Sequence, residues 1–376
     1  MRVNSSRLLF PLAAVVLLLL ASVVLGAARA APSPGAVYTM SNDGSANGVI
    51  AYDRAADGNL HEIGRFGTGG AGTGFPRLGS QGSVILALNN TRLLVTNGGS
   101  NDVSVFAVQA DNRLMLLQRI ASGGHKPQSI TARGNLVYVM NAGEEDNNIT
   151  GFRFNSSGRL VRLLNSTRAL SQKRADPAQV GFSPDGRVLV VTEKATDKID
   201  TFAVGRDGRP GRVKVHRSSG KTPFGFAFRR DGVMVVTEAF GGTPGKAAAS
   251  SYSFTSAGLR PVTRSAPDSQ SDVCWTVITN DGRYAYITNN GSGTISSYRI
   301  DGAGVLTLLE AVAGTTGSPG GFGTRDADLS DDGAYLYAID VGTRTMNTFR
   351  VETDGKLSLL GVQTGLPATF AGLAAR

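Results

Sequence analysis

Hydrophobic positions along the chain fall in short runs separated by tight polar turns. Asp176–Val204 shows the pattern most clearly: Gln179–Phe182 and Val188–Thr192 flank a Ser183-Pro184-Asp185-Gly186 turn, and Ile199–Val204 follows a polar tip. Pro184 sets the backbone angle that opens the turn and Gly186 supplies the positive φ that closes it, so the stretch predicts a hairpin followed by a third strand.

The same phrase recurs. Apolar runs end in Asn42, Asn97, Asn141, Glu193, Glu238, Asn289 and Asp340, at intervals of 44 to 55 residues. A second run follows each, carrying one aromatic: Tyr52, Phe106, Phe152, Phe202, Tyr252, Tyr298 and Phe349. Asp185-Gly186, Asp231-Gly232, Asp281-Gly282 and Asp332-Gly333 separate first from second strands. Asp57-Gly58, Ser157-Gly158, Asp207-Gly208 and Asp354-Gly355 separate third from fourth. Each unit is a four-stranded antiparallel meander, and units of this length repeated radially are propeller blades. The fold class is therefore all-β, a seven-bladed β-propeller occupying residues 31–376 as a single domain.

The first unit begins at Val37 with what the pattern makes a second strand. Its innermost strand is expected from Thr369–Ala374 at the other end of the chain, closing the ring and removing a sheet edge. With first strands running from top to bottom, the Asp-Gly turns lie at the bottom, and the strand-end residues Asn42 to Asp340 gather at the top around the channel mouth. His125-Lys126, Arg174, Asp176, Lys221, Asp272, Arg325 and Asp326 join them from the loops leading into first strands. Any site is expected on the top face.

Composition adjusts this picture at three points. The 49 glycines among 376 residues follow no collagen period and suit many tight turns. Cys274 is the only cysteine, which excludes an internal disulfide; beside Trp275 in an apolar run it is expected to be buried and inert. Arg2 and Arg7 precede the apolar run Leu8–Ala28, and Ala28-Arg29-Ala30 fits a cleavage site before Ala31, so residues 1–30 read as a secretory signal peptide. An uncleaved anchor is the alternative, because the run is long enough to span a bilayer. Cleavage would remove three arginines and no acids, lowering the formal net charge from +9 to +6. That charge is spread thinly, without the basic cluster of a nucleic-acid binder. A secreted or periplasmic monomer, free of the membrane after cleavage, is expected.

The phrase FSPDGRVLVVTE at Phe182–Glu193, with relatives such as TNDGRYAYITN at Thr279–Asn289, resembles the lactonase-type seven-bladed β-propeller family. That family includes 6-phosphogluconolactonase and carboxymuconate lactonising enzymes. The resemblance covers essentially the whole chain after residue 30 and implies hydrolysis of a small anionic or sugar-derived lactone. Enzymes of the family carry an Arg-His pair just before the F-x-P-D-G phrase and a glutamate after the following strand. The pair is absent here, its positions being held by Ala178 and Gln179, and Glu193 lies one residue short of the glutamate position. His125, before the first strand of the third blade, is the candidate to stand in for a family histidine.

Opening a lactone with water requires a base and a cation or N–H donors for the developing oxyanion. Glu193, Glu238 and His125 are the candidate catalytic residues. Lys194, Arg174, Lys221, Asn141, Asn289 and Asp340 are candidates for binding substrate. The bland reading is that the two glutamates cap strand ends and pair with neighbouring cations. Three scattered histidines make no zinc site of ordinary spacing. Glu144-Glu145-Asp146 suits calcium or, more simply, a solvated loop. No cofactor or metal is expected. Two functions stay open: a lactone hydrolase, and a propeller that binds a protein or glycan without turnover.

Overall fold

A tight polar turn between two apolar runs, carrying Asp-Gly in blades 4 to 7, commits each pair of strands to a hairpin, and the computed structural model shows this repeated around a ring. It describes Met1 and residues 35–76, 78–255, 258–317 and 323–376. Apart from Met1, the expected signal peptide at residues 1–30 lies outside the described residues.

Seven antiparallel sheets form seven blades, each built from strands in sequential order. The first, innermost strands of blades 2 to 7 are Val84–Ala87, Pro127–Arg133, Pro177–Phe182, Pro223–Phe228, Val273–Ile278 and Thr324–Leu329. Blade 1 takes its innermost strand from the C-terminus. Ala371–Ala375 pairs antiparallel with Gly35–Met40, with Ala375 opposite Val37 and Ala374 opposite Tyr38. This closing strand starts two residues later than the sequence pattern suggests. In blade 3 the fourth strand is split into Leu160–Arg162 and Arg168–Ala169. The turn glycines adopt the positive φ their positions demand, as at Gly186 (φ +73).

The core is divided among the blade interfaces. Each of the seven third-strand aromatics is at most 1% exposed and packs in a separate apolar cluster with residues of the preceding blade. Phe152 of blade 3, for example, packs with Leu94, Val103 and Val105 of blade 2. Second-strand tyrosines tie the ring a second time. The hydroxyls of Tyr38, Tyr138 and Tyr286 donate to the carbonyls of Asn112, Gly208 and Gly355 on the third hairpin of the next blade, at 2.7 to 3.1 Å.

At the axis the innermost strands are sheet edges, and their outward N–H groups need acceptors. Side chains of neighbouring blades supply several. Ser129 Oγ accepts from Val180 N (3.1 Å) and Thr131 Oγ1 from Phe182 N (3.3 Å). Gln179 Oε1 accepts from Phe226 N (2.6 Å) while its Nε2 donates to Phe226 O (3.0 Å). At the ring closure, Asp326 accepts from Gly372 N (2.8 Å) and Asp328 from Ala375 N (2.9 Å).

Because the aromatics are the main apolar mass of each interface, Phe152→Ala is expected to cost about 3–5 kcal/mol. Denaturant unfolding reads this directly. A midpoint unchanged from the parent chain would contradict the assignment of the core to the blade interfaces.

Candidate functional site

The residue that ends each second strand stands at the top of its blade, but one strand away from the axis, about 4.8 Å further out per strand. That radial offset decides its environment. Asn42, Asn97, Asn141, Glu193, Glu238, Asn289 and Asp340 are all buried, at 0 to 1% exposure, and do not ring the channel mouth. Their side chains bond to their own blade or to the segments that connect it to its neighbours, as Asn42 does to Thr73 Oγ1 and Phe75 O (both 2.9 Å). Glu193 accepts from Ser171 N (3.1 Å), Ser171 Oγ (2.8 Å) and Thr196 Oγ1 (2.5 Å). Glu238 accepts from Gly220 N (2.7 Å), Ser250 Oγ (2.6 Å) and Ser265 Oγ (2.5 Å). Asn141 and Asn289 donate to Asn148 Oδ1 (3.0 Å) and Ser296 Oγ (2.8 Å) on their own third strands. Asp340 accepts from Thr316 Oγ1 (2.8 Å) and from the N–H groups of Gly342 and Thr343 (2.9 Å). The expectation that these residues meet at the top mouth is corrected: strand position gave their height and not their radius.

The loop residues fare differently. His125 is exposed, with Nδ1 2.6 Å from Asp146 Oδ2. Arg174 and Lys173 both pair with Glu145, at 2.6 and 3.5 Å, so the acidic loop is tied up in exposed ion pairs. Lys221 is exposed. The Lys194 side chain is only 9% exposed: its Nζ donates to Gly79 O (2.6 Å), lies 3.2 Å from Asp176 Oδ1 and sits 4.8 Å from the centre of the Phe224 ring. Burial lowers its pKa, and Asp176 opposes the shift. Among the described residues no group of three or more His, Cys, Asp or Glu side chains is placed to hold a metal ion. Cys274 is buried, which pushes its thiol pKa up.

Gly79, the partner of Lys194, belongs to a segment for which the sequence reading had no role. Residues 68–83 connect blade 1 to blade 2, and Leu78–Gly82 crosses the top of the channel. Gln128 Nε2 donates to Leu78 O (2.9 Å), Gln81 N to Ala178 O (3.1 Å) and Ile130 N to Gly82 O (2.7 Å). The Gln81 side chain reaches across to blade 6, where its Nε2 donates to Thr276 O (3.0 Å) and its Oε1 accepts from Thr276 N (3.4 Å). Gly225 makes room for it: a Cβ there would stand 2.8 Å from the Cys274 carbonyl and closer still to Gln81 Oε1. The segment is a plug. The length of this one connection was the signal in the sequence that could have found it.

Beneath the plug lies an axial cavity of about 750 Å³. Gln81 and Gly82 close its upper end, the edges of the first strands form its wall, and Asn90, Arg230, Asn280 and Asp331 line it at the bottom. This cavity therefore opens among the Asp-Gly turns, opposite to the face on which a site was expected. Two carboxyls lie along its wall. Asp326 is 4% exposed, whereas Asp328 keeps part of its surface open to the cavity. Burial pushes each up to about 7, against the backbone N–H groups that each accepts.

Blade 4 holds a second buried acidic pair. Asp200 Oδ2 accepts from Ser171 N (2.7 Å), which also donates to Glu193. Burial, and then the adjoining Glu193 carboxyl, push Asp200 up to about 8 from an ordinary 3.8. A carboxyl whose folded pKa lies above its unfolded value keeps its proton in the native state after the unfolded chain has released it. Stability is therefore lost as pH climbs from the unfolded toward the folded pKa. Asp268, raised to about 6, and Asp326 and Asp328 act with the same sign. The melting temperature is expected to fall from about pH 5 to about pH 8 and to fall less in Asp200→Asn. Superimposable pH curves for the two proteins would contradict the buried pair.

The comparisons with known proteins agree with this architecture. The family model "Lactonase, 7-bladed beta-propeller" matches residues 37–173, 132–239 and 241–374. A Bacteroides fragilis protein assigned as a 6-phosphogluconolactonase is 17% identical with a TM-score of 0.69, covering 93% of this chain and 99% of its own. The periplasmic gluconolactonase PpgL of Pseudomonas aeruginosa is 18% identical with a TM-score of 0.68, covering 89% and 98%. A Lactobacillus plantarum protein reaches a TM-score of 0.70 at 16% identity, covering 91% and 99%. At these identities the structural likeness speaks for the fold. Among curated protein sequences none matches significantly. With the family model matched across all seven blades, the chain belongs to the lactonase family of seven-bladed β-propellers.

Proposed function

We propose that this protein hydrolyses a small lactone, anionic or derived from a sugar, inside the axial cavity. The observation that carries the reading is the cavity itself, closed by Gln81 at one end and open among the turns at the other. Its 750 Å³ falls within the range of about 300–1,000 Å³ that small-molecule sites occupy. Strand-edge backbone on its wall suits a ring dense in hydroxyls, and Arg230 at the mouth suits a carboxylate or phosphate substituent. Family membership supports the reaction class.

A second reading, a propeller that binds a protein or glycan without turnover, is favoured by Gln179. It stands where the resembling enzymes carry a histidine, and both ends of its amide are tied to Phe226. The top face retains one exposed catalytic candidate, His125 with Asp146. We further propose that the protein is exported and acts as a monomer. The arginine-flanked run Leu8–Ala28 supports export, for which the mature N-terminus, measured by mass spectrometry, is expected at Ala31.

Hydrolysis of aldonolactones, phosphogluconolactone and muconolactones, followed by pH-stat with spontaneous opening subtracted, tests the function. Turnover of at least one lactone, retained in His125→Ala, is expected. Turnover lost in His125→Ala would move the chemistry to the top face. No turnover from folded protein on any lactone would leave the binding propeller.

A further inference from the structure

From the geometry of the cavity wall we propose that Asp328 is the general base of this protein, activating water for attack on a lactone that enters from the bottom face. The inference rests on the hydrolase reading and adds the residue and the direction of approach. Asp328 lies on the first strand of blade 7, where the strand edge meets the cavity near its lower end, beside Leu329, Ser330 and Asp331. Its carboxyl is held in place by two backbone donors, Leu329 N to Oδ1 (2.9 Å) and Ala375 N to Oδ2 (2.9 Å). Part of its surface stays open to the cavity.

Asp326 makes the comparison informative. It sits two residues earlier on the same strand and accepts a backbone N–H from the same closing strand, Gly372 N at 2.8 Å, yet it is 4% exposed. Both aspartates tie blade 7 to blade 1. Asp328 alone combines that tie with an open surface, which a purely structural rung does not require. A base must be reachable by water and must titrate near the working pH, and burial raises Asp328 toward neutrality. The charged groups that act on it are Asp331 on the following turn and Asp326 along the strand, and Arg230 lines the same cavity from blade 5. Among the described residues Arg230 makes no ion pair, so it is the cation available there to an anionic substituent.

The step balances without a co-reactant. Ionised Asp328 takes a proton from water as the water oxygen bonds to the lactone carbonyl carbon and the carbonyl π pair moves onto oxygen. When the tetrahedral adduct collapses, the ring C–O bond breaks and Asp328 returns the proton to the departing alkoxide. The product is a hydroxy acid, and the base is regenerated.

The test compares Asp328→Asn with Asp326→Asn in the full chain, each checked for folding by circular dichroism and thermal melting. Both substitutions keep the shape; Asp326→Asn can keep its single backbone bond, whereas Asp328→Asn keeps only one of its two, because an amide nitrogen cannot accept, so the melting temperatures are compared alongside the rates. On a lactone that the parent protein opens, Asp328→Asn is expected to lower kcat by about 10²-fold or more. It should also abolish the rise in rate with pH between about 6 and 8 that a carboxylate base of this kind produces. Asp326→Asn is expected to stay within about threefold of the parent, with the pH profile intact. Equal losses in both variants, tracking their melting temperatures, would make Asp328 structural and overturn the proposal, as would an active Asp328→Asn. An inactive parent protein would instead sink the hydrolase reading on which the proposal rests.

Discussion

Seven sheet edges pointing at one axis are the constraint on which this structure depends. Each first strand has a partner on one side only, and its remaining N–H and C=O groups face the axial channel. The protein answers with side chains from neighbouring blades: Ser129, Thr131, Gln179, Asp326 and Asp328. Where blade 6 needs a partner, Gln81 reaches across the channel to Thr276. The polar residues nearest the axis are therefore committed to backbone before any question of substrate arises.

That commitment decides which end of the channel is open. With Leu78–Gly82 bonded to Gln128, Ile130, Ala178, Lys194 and Thr276, the upper mouth is filled. Lys194, which as a surface cation would suit an anionic substrate, is instead a largely buried clamp between the plug and Asp176. Gln179, in the place of a family histidine, is a rung between blades 4 and 5. What remains free is the lower cavity, with Asp328 on its wall and Arg230 at its mouth.

The fold was legible in the sequence because its determinants are local. Asp-Gly turns, strand-end polar residues and one aromatic per third strand each mark a position within a blade, and the C-terminal strand closed the count with an offset of only two residues. The site was not legible, because a repeat reports height along the axis but not distance from it. Glu193 and Glu238 stand at the predicted height and are sealed inside their blades by serines and a threonine. The tyrosines that tie successive blades, Tyr38, Tyr138 and Tyr286, recur in second strands and passed unnoticed because their partners lie about 70 residues on. The plug escaped for another reason: the glycine-rich start of its connection, Gly67–Gly74, reads as a plain loop, and the role of Leu78–Gly82 depends on contacts with blades 3, 4 and 6.

The claim that function has passed to the bottom face is tested most directly by a crystal structure of the full chain with a bound aldonate, the hydroxy-acid product of an aldonolactone. The account predicts the aldonate in the lower cavity, within hydrogen-bond reach of Asp328, with Leu78–Gly82 still seated between Lys194 and Thr276. An aldonate bound at the upper mouth, or a displaced plug with the ligand in its place, would contradict it.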